Sequence, residues 1–201
     1  MIIEKIETKR NKTTVYSDTT EYEFAPEIIA KYDIKEGETN GKTFFDAKNE
    51  SDRLLCKRRL YSLVDRSEKS KQGYLDALTQ RGYPYPIAKE AVEEAEKKGL
   101  IDDRRFAECY LHTHEKSKGW FRLSAELRSK GVSEEIVESF REDYSDHAAE
   151  CKKLAEKYMR SVENTYENRQ KVFLKLMRKG YSVDEIGSSM RAFGDCDGSD
   201  S

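Results

Sequence analysis

Gly99 to Val132, GLIDDRRFAECYLHTHEKSKGWFRLSAELRSKGV, decides how the chain is read. The stretch spells the end of one helix, a complete second helix, a short basic connection, and a third helix closed by Lys130-Gly131. Asp102 stands where an N-cap belongs, able to accept a hydrogen bond from a first-turn N–H that has no partner within the helix. Ile101 and Phe106 have the spacing of a hydrophobic staple around that cap. Leu123 and Leu127 fall on one helical face, and Gly131 supplies the left-handed residue that ends the helix. The pattern is one module of a helical array.

The module recurs. Leu78–Gly82 reads LTQRG, Leu127–Gly131 reads LRSKG and Leu176–Gly180 reads LMRKG, and the three glycines stand 49 residues apart. Tyr74, Leu123 and Val172 keep the same offset, as do Arg81, Lys130 and Lys179. Each glycine is followed by Tyr83, Val132 or Tyr181 and then by a new helix start. Ser133 caps the second copy, with Val132 and Val137 as a staple. Ser182 and Glu185 predict a capping box in the third, with Tyr181 and Ile186 as its staple. The first copy uses Pro84 and Pro86, which the first turn of a helix tolerates. The expected fold is mainly α: three tandem three-helix repeats, residues 51–98, 99–145 and 146–193, forming an elongated, curved array.

The first fifty residues have another texture. Ile2–Thr8, Thr13–Ser17 and Glu21–Phe24 are rich in β-branched and aromatic residues and are separated by turn residues around Asn11 and Asp18. They predict a β-hairpin or small meander. A short helix from Pro26 follows, then a flexible joint at Gly37–Gly41, with helix resuming at about Ser51. A block this small is marginal by itself. Residues 194–201 are acidic, lack core residues and are expected to be disordered.

Of 201 residues 38% are charged and 36% hydrophobic, a balance that permits disorder, but 12 Tyr and 8 Phe at helical spacing argue for narrow bundles instead. A net charge of −2 gives no general reason to expect a nucleic-acid binder. No apolar run approaches the ~20 residues a spanning helix needs, and the N-terminus lacks a signal peptide's apolar core, so the expected compartment is the cytoplasm. Cys56, Cys109, Cys151 and Cys196 are scattered, as in a reducing environment.

Basic residues cluster at Lys57-Arg58-Arg59 and over Lys152–Lys179, with Arg104, Arg105, Arg122, Arg128 and Lys130 between them. The third helix of each unit is acid-rich, so every unit is expected to carry a positive and a negative edge. Solvated faces and cations beside helix C-termini account for such a pattern without any ligand. A basic stripe repeated along the body also suits a long acidic or nucleoprotein partner. Reading of the major groove by these helices is disfavoured, because Glu134, Glu135, Asp184 and Glu185 occupy the positions that would approach phosphates.

The residues assemble no nucleophile, base and pocket, and an enzyme is not expected. Cys109, His112 and His114 are the most tempting metal ligands, but His114 leaves the face the other two share and a fourth ligand is missing. No cofactor is expected.

Leu100–Ala107 together with Glu126–Val132 closely resembles the RecX family of recombination regulators. Arg66–Tyr83 looks like that family's first repeat, Phe173–Ile186 like its third, and the opening strands like an extension some members carry. Gly119-Trp120 departs from the Gly-Pro of many members. The resemblance implies a non-enzymatic regulator that binds the RecA–single-stranded-DNA filament in its helical groove and inhibits ATP hydrolysis and strand exchange. On that footing Lys57, Arg58, Arg59, Arg122, Lys130, Lys171, Lys175 and Lys179 are the expected partner-facing cations. Trp120 and Phe121 are the expected aromatic anchors. The expected protein is a monomer away from membranes, with at most weak contact to single- or double-stranded DNA. The alternatives are a sequence-independent nucleic-acid-binding helical protein and a general helical adaptor.

Overall fold

The computed structural model describes residues 1–9, 12–17, 20–144 and 147–194, and the chain divides into two compact units between Ile101 and Asp102. The first unit opens with β1 (Ile2–Lys9), β2 (Lys12–Ser17) and β3 (Thr20–Phe24), an antiparallel meander as expected. The turn residues expected around Asn11 and Asp18 lie outside the described residues, as does the tail beyond Gly194. Alternation puts Ile3, Val15 and Phe24 in one buried cluster. After α1 (Pro26–Lys31) comes a two-residue strand, β4 (Gly37–Glu38), paired with Ile2 and Ile3, so the sheet order is β3-β2-β1-β4. The expected flexible joint is therefore a hydrogen-bonded edge strand, and Gly37 permits the turn into it with a φ of 109°.

The helix expected from about Ser51 begins ten residues earlier, as α2 (Gly41–Val64). The Asn40 side chain caps it by accepting from the Lys42 and Thr43 N–H groups. Its first half serves the sheet: Phe44 and Ala47 join the β cluster, Phe44 meets Phe24 edge-on at 5.3 Å, and the Ser51 hydroxyl accepts from the Ala25 N–H at 2.8 Å. Its second half turns Cys56, Leu60 and Leu63 toward α3 (Lys71–Thr79) and α4 (Tyr85–Lys97), forming the first three-helix core with Tyr74, Leu78 and Ala91. The small N-terminal sheet thus shares a helix with the first repeat. Ile101, expected to staple onto Phe106, is instead buried in this first core.

The second unit holds two three-helix cores. One combines α5 (Asp103–His114), α6 (Trp120–Ser129) and α7 (Glu134–Ser139), followed by one turn of helix, α8 (Arg141–Tyr144). The other combines α9 (Ala148–Met159), α10 (Tyr166–Arg178) and α11 (Val183–Met190), which ends in a 3-10 turn at Arg191–Phe193. Repetition extends to hydrogen bonds. Gly82, Gly131 and Gly180 have φ of 88°, 81° and 90°, the left-handed region that glycine occupies without strain. In each copy the glycine N–H and the N–H after it bond back to the last helical turn, the latter to Leu78, Leu127 or Leu176 (3.4, 3.2 and 3.4 Å). This is a Schellman closure made three times. All three leucines are fully buried.

The caps follow the sequence as well. Asp102 accepts from Arg104 and Arg105, and Ser133 from Ile136. Ser182 and Glu185 form the reciprocal box. The second carboxylate oxygen of Glu185 accepts from the His147 N–H at 2.9 Å, so one side chain fixes the starts of two helices.

Candidate functional site

Three of the eight cations expected to face a partner, Lys57, Arg58 and Arg122, are held by nearby acids. Lys57 pairs with Glu94 at 2.5 Å and Arg58 with Glu27. Arg53 and Lys71 reach Glu90 and Glu96 on α4, while Arg128 on α6 reaches Glu134 and Glu138 on α7. The acid-rich third helices thus neutralise neighbouring cations instead of forming a separate negative edge. Exposed pairs of this kind contribute at most about 1 kcal/mol each, so they set the local potential more than the stability.

The third module differs. Lys152 and Lys157 on α9, and Lys171, Lys175 and Arg178 on α10, are exposed and have no carboxylate partner among the described residues. The Lys175 ammonium lies 3.6 Å from the centre of the Tyr158 ring, which orients the charge without neutralising it. Leu174 and Met177 stand exposed among these cations, 52% and 42% accessible. Residues three and four apart are neighbours on a helix, so Lys171, Leu174, Lys175 and Arg178 share one face.

That face continues into the joint between the second and third modules. The N-terminus of α6 meets the C-terminus of α10: the Gly119 N–H donates to the Lys179 carbonyl at 3.0 Å, and the Phe121 N–H to the Gly180 carbonyl at 3.2 Å. Gly119 has no side chain to cap its helix, so terminal carbonyls of one helix satisfy first-turn N–H groups of the other. The two helix dipoles meet there with opposite signs. Arg122 adds a bond from its guanidinium to the Arg178 carbonyl at 3.2 Å, and the Lys179 ammonium donates to the Ser117 carbonyl at 3.1 Å. The approach requires glycine on both sides. A Cβ on Gly119 would strike the Gly180 carbonyl and stand 2.6 Å from the Tyr181 nitrogen, and one on Gly180 would strike the Arg122 backbone.

Charge collects at this joint. Burial lowers the pKa of Lys179 below its usual 10.5, and Arg122, Lys175, Lys118 and Lys157 lower it further. The folded state therefore disfavours the Lys179 charge. Its contribution to stability rises as pH climbs from the lowered value toward 10.5, whereas attraction for an anion falls over the same range. One carboxylate offsets the cluster. Glu126 accepts from Lys118 at 2.5 Å, from the Tyr110 hydroxyl at 2.6 Å and from Arg122 at 2.9 Å. Burial opposes its charge, but these three bonds hold its carboxyl at about 2. Burial, then the bond to Glu126, pushes Tyr110 up to about 12. The stabilisation is complete above the ordinary 4.5 and is lost as pH falls toward 2. Glu126→Gln is expected to cost about 2 kcal/mol at neutral pH in urea denaturation, with the gap to the native chain closing as the pH falls below 4.5.

Among the other residues expected to face a partner, Phe121 is 60% exposed, while Trp120 is only 7% exposed and belongs to the core of its own bundle. Trp120 is therefore a packing residue, which leaves Phe121 as the exposed aromatic. Lys130 lies over the Tyr110 ring at 5.3 Å. Arg59 has no hydrogen-bond or ion-pair partner among the described residues. Lys118 and Lys157, which lower the pKa of Lys179, are outside the expected set, as are Lys152 and Arg178. Lys118 sits in the basic connection before Gly119, but only contacts across some sixty residues of sequence bring it to Lys179. His114, one of the tempting metal ligands, packs edge-on against Tyr110 at 4.4 Å. Among the described residues, no three His, Cys, Asp or Glu side chains converge as metal ligands. No helix there is long and apolar enough to cross a membrane.

Comparison with known proteins fits this architecture. Residues 102–139 match the second three-helix domain of RecX and residues 146–188 the third. The regulatory protein RecX of Clostridium tetani is 28% identical over 197 residues, covering 92% of this chain and 91% of that protein. That of Clostridium perfringens (strain SM101 / Type A) is 29% identical over 190 residues, covering 90% and 89%. That of Bacillus subtilis is 25% identical over 199 residues, covering 94% of this chain and 75% of the other. A crystal structure of a regulatory protein RecX shares the fold with a TM-score of 0.66 at 21% identity, covering 92% of this chain and 96% of that one. RecX from Lactobacillus salivarius gives 0.62 at 22% identity, covering 71% and 96%. With its glycine-closed modules and both matched three-helix domains, the chain belongs to the RecX family of regulatory proteins.

Proposed function

We propose that this chain regulates RecA by binding the RecA–single-stranded-DNA filament, and that it lowers both ATP hydrolysis and strand exchange. The observation that carries this reading is the set of unneutralised cations on the third module and at its joint with the second. Lys171, Lys175 and Lys179 belong to it, with Leu174 and Phe121 exposed alongside, while Arg122 beside them is paired with Glu126. A surface of fixed positive charge with apolar residues suits an acidic protein–DNA polymer, where charge steers the encounter and apolar burial holds it. The backbone joint ties the second and third modules together, so contacts made by both would add as avidity. Lying in the filament's helical groove fits such a multi-module contact.

Naked DNA alone suits the surface less well. Glu134 and Glu135 start α7, and Asp184 and Glu185 lie in the first turn of α11, where groove-reading side chains would have to meet phosphates. The reading is tested by co-sedimentation with recombinase filaments over a salt series. Binding is expected to weaken with salt and, at constant salt, to weaken as pH rises through the lowered pKa of Lys179. Equal affinity for bare single-stranded DNA and for the filament would reject a recombinase-directed role in favour of a general nucleic-acid binder.

A further inference from the structure

The first unit contains a cleft of about 770 Å³ that the regulatory reading leaves unused. Its floor is one face of α2. Leu55, Arg59 and Ser62 are spaced by four and three residues, so their side chains line up. Tyr83 and Pro26 also line it, as does the Arg58–Glu27 pair. The repeat itself marks the place as unusual. The residue after the module glycine is sealed in the second and third copies, with Val132 at 4% and Tyr181 at 2% exposure, whereas Tyr83 is only partly buried and opens onto the cleft.

The donors in the cleft are uncommitted. Of the run Lys57-Arg58-Arg59, the first two are held by Glu94 and Glu27, but the Arg59 guanidinium has no partner among the described residues. Its Nε is enclosed without a hydrogen bond, a costly state for a charged donor. The Ser62 and Tyr83 hydroxyls likewise have no partner among the described residues. Three donors therefore line the cleft with Leu55, Pro26 and the Tyr83 ring, and the one lining acid, Glu27, is already paired with Arg58.

We propose that this cleft binds a carboxylate carried on an apolar chain. Arg59 takes the carboxylate through its planar edge, Ser62 and Tyr83 donate to it, and Leu55 with Pro26 covers the apolar part. A single unpaired guanidinium matches a single negative charge and leaves the second charge of a phosphate without a partner. The carboxylate has two possible sources, a free small acid and an acidic side chain of a protein partner. The inference does not depend on how the basic face of the other unit is used.

Nitrogen NMR of the intact labelled chain tests it, following the Arg59 Nε–H while four probes are added: 3-phenylpropionate, its neutral amide, and the capped dipeptides Ac-Leu-Glu-NH₂ and Ac-Leu-Gln-NH₂. Saturable shifts are expected with at least one of the two acids, with affinity reduced about tenfold or more for its neutral analogue and in Arg59→Gln. Response to 3-phenylpropionate alone assigns a small acid, and response to the Glu dipeptide alone assigns a protein side chain. If Arg59→Gln fails to fold, Ser62→Ala combined with Tyr83→Phe is expected to reduce affinity severalfold, read at Arg59 itself. No saturation with either acid, equal binding of acid and amide, or equal affinity for inorganic phosphate would overturn the assignment.

Discussion

Gly180→Ala is expected to lower the melting temperature by roughly 10 °C or more, on the order of 3 kcal/mol or above. Two costs combine. The alanine must adopt a φ near 90°, which costs about 1 kcal/mol for a residue with a Cβ. The Cβ must also displace the Arg122 backbone, which carries the first turn of α6 with it. The interlocking bonds from Gly119 to Lys179 and from Phe121 to Gly180 then lengthen or break, at about 1 kcal/mol each. Gly82 provides the control, because it has the same role in the first module and a φ of 88° but nothing within 4 Å of its would-be Cβ. Gly82→Ala is expected to cost only the conformational part, about 1 kcal/mol. Thermal melts by circular dichroism separate the two, and equal losses at both glycines would mean that the joint contributes nothing.

That contrast marks what the sequence reveals and what it hides. The glycine closures, the Ser182–Glu185 box and the Asp102 cap follow rules of a few residues, so the spacing alone exposed three modules. The joint does not obey a local rule. Gly119 must be glycine because it faces the Gly180 backbone, and Gly180 because it faces the Arg122 backbone, contacts some sixty residues apart in sequence. In sequence Gly119 is merely a glycine before an aromatic, and Trp120 reads as an anchor although it fills a core. The length of α2 was hidden for a related reason. Its buried stripe changes partner midway, from Phe44, Ala47 and Ser51 facing the sheet to Cys56, Leu60 and Leu63 facing α3 and α4. No single helical face runs the full length for a periodicity argument to detect. The basic residues were legible as residues but not as a surface, because only the fold reveals that Glu94, Glu27 and Glu134 neutralise Lys57, Arg58 and Arg128 while Lys171 and Lys175 keep their charge.

The second large effect concerns binding. Reversing Lys171 and Lys175 together to Glu is expected to reduce filament affinity roughly 10- to 100-fold and to flatten its salt dependence. The fold should tolerate the change. Lys171 has no partner to lose, and Lys175 loses only its contact with Tyr158, about 0.5–1 kcal/mol. Lys153→Glu is the matched control, since Lys153 already lies beside Glu150 at 3.5 Å and adds little to the free charge. Pull-down on recombinase filaments at two salt concentrations reads all three proteins. Unchanged affinity of the double variant, with binding still salt-sensitive, would reject the α10 face as the contact.

The most direct measurement is the rate of ATP hydrolysis by a recombinase saturated with single-stranded DNA, with the native chain and with the Lys171→Glu/Lys175→Glu variant added at increasing ratios. The native chain is expected to suppress hydrolysis at substoichiometric ratios, and the variant to require at least about tenfold more protein for the same effect. A hydrolysis rate indifferent to the native chain, or equally suppressed by the variant, would contradict a regulator that acts through the basic face of its third module.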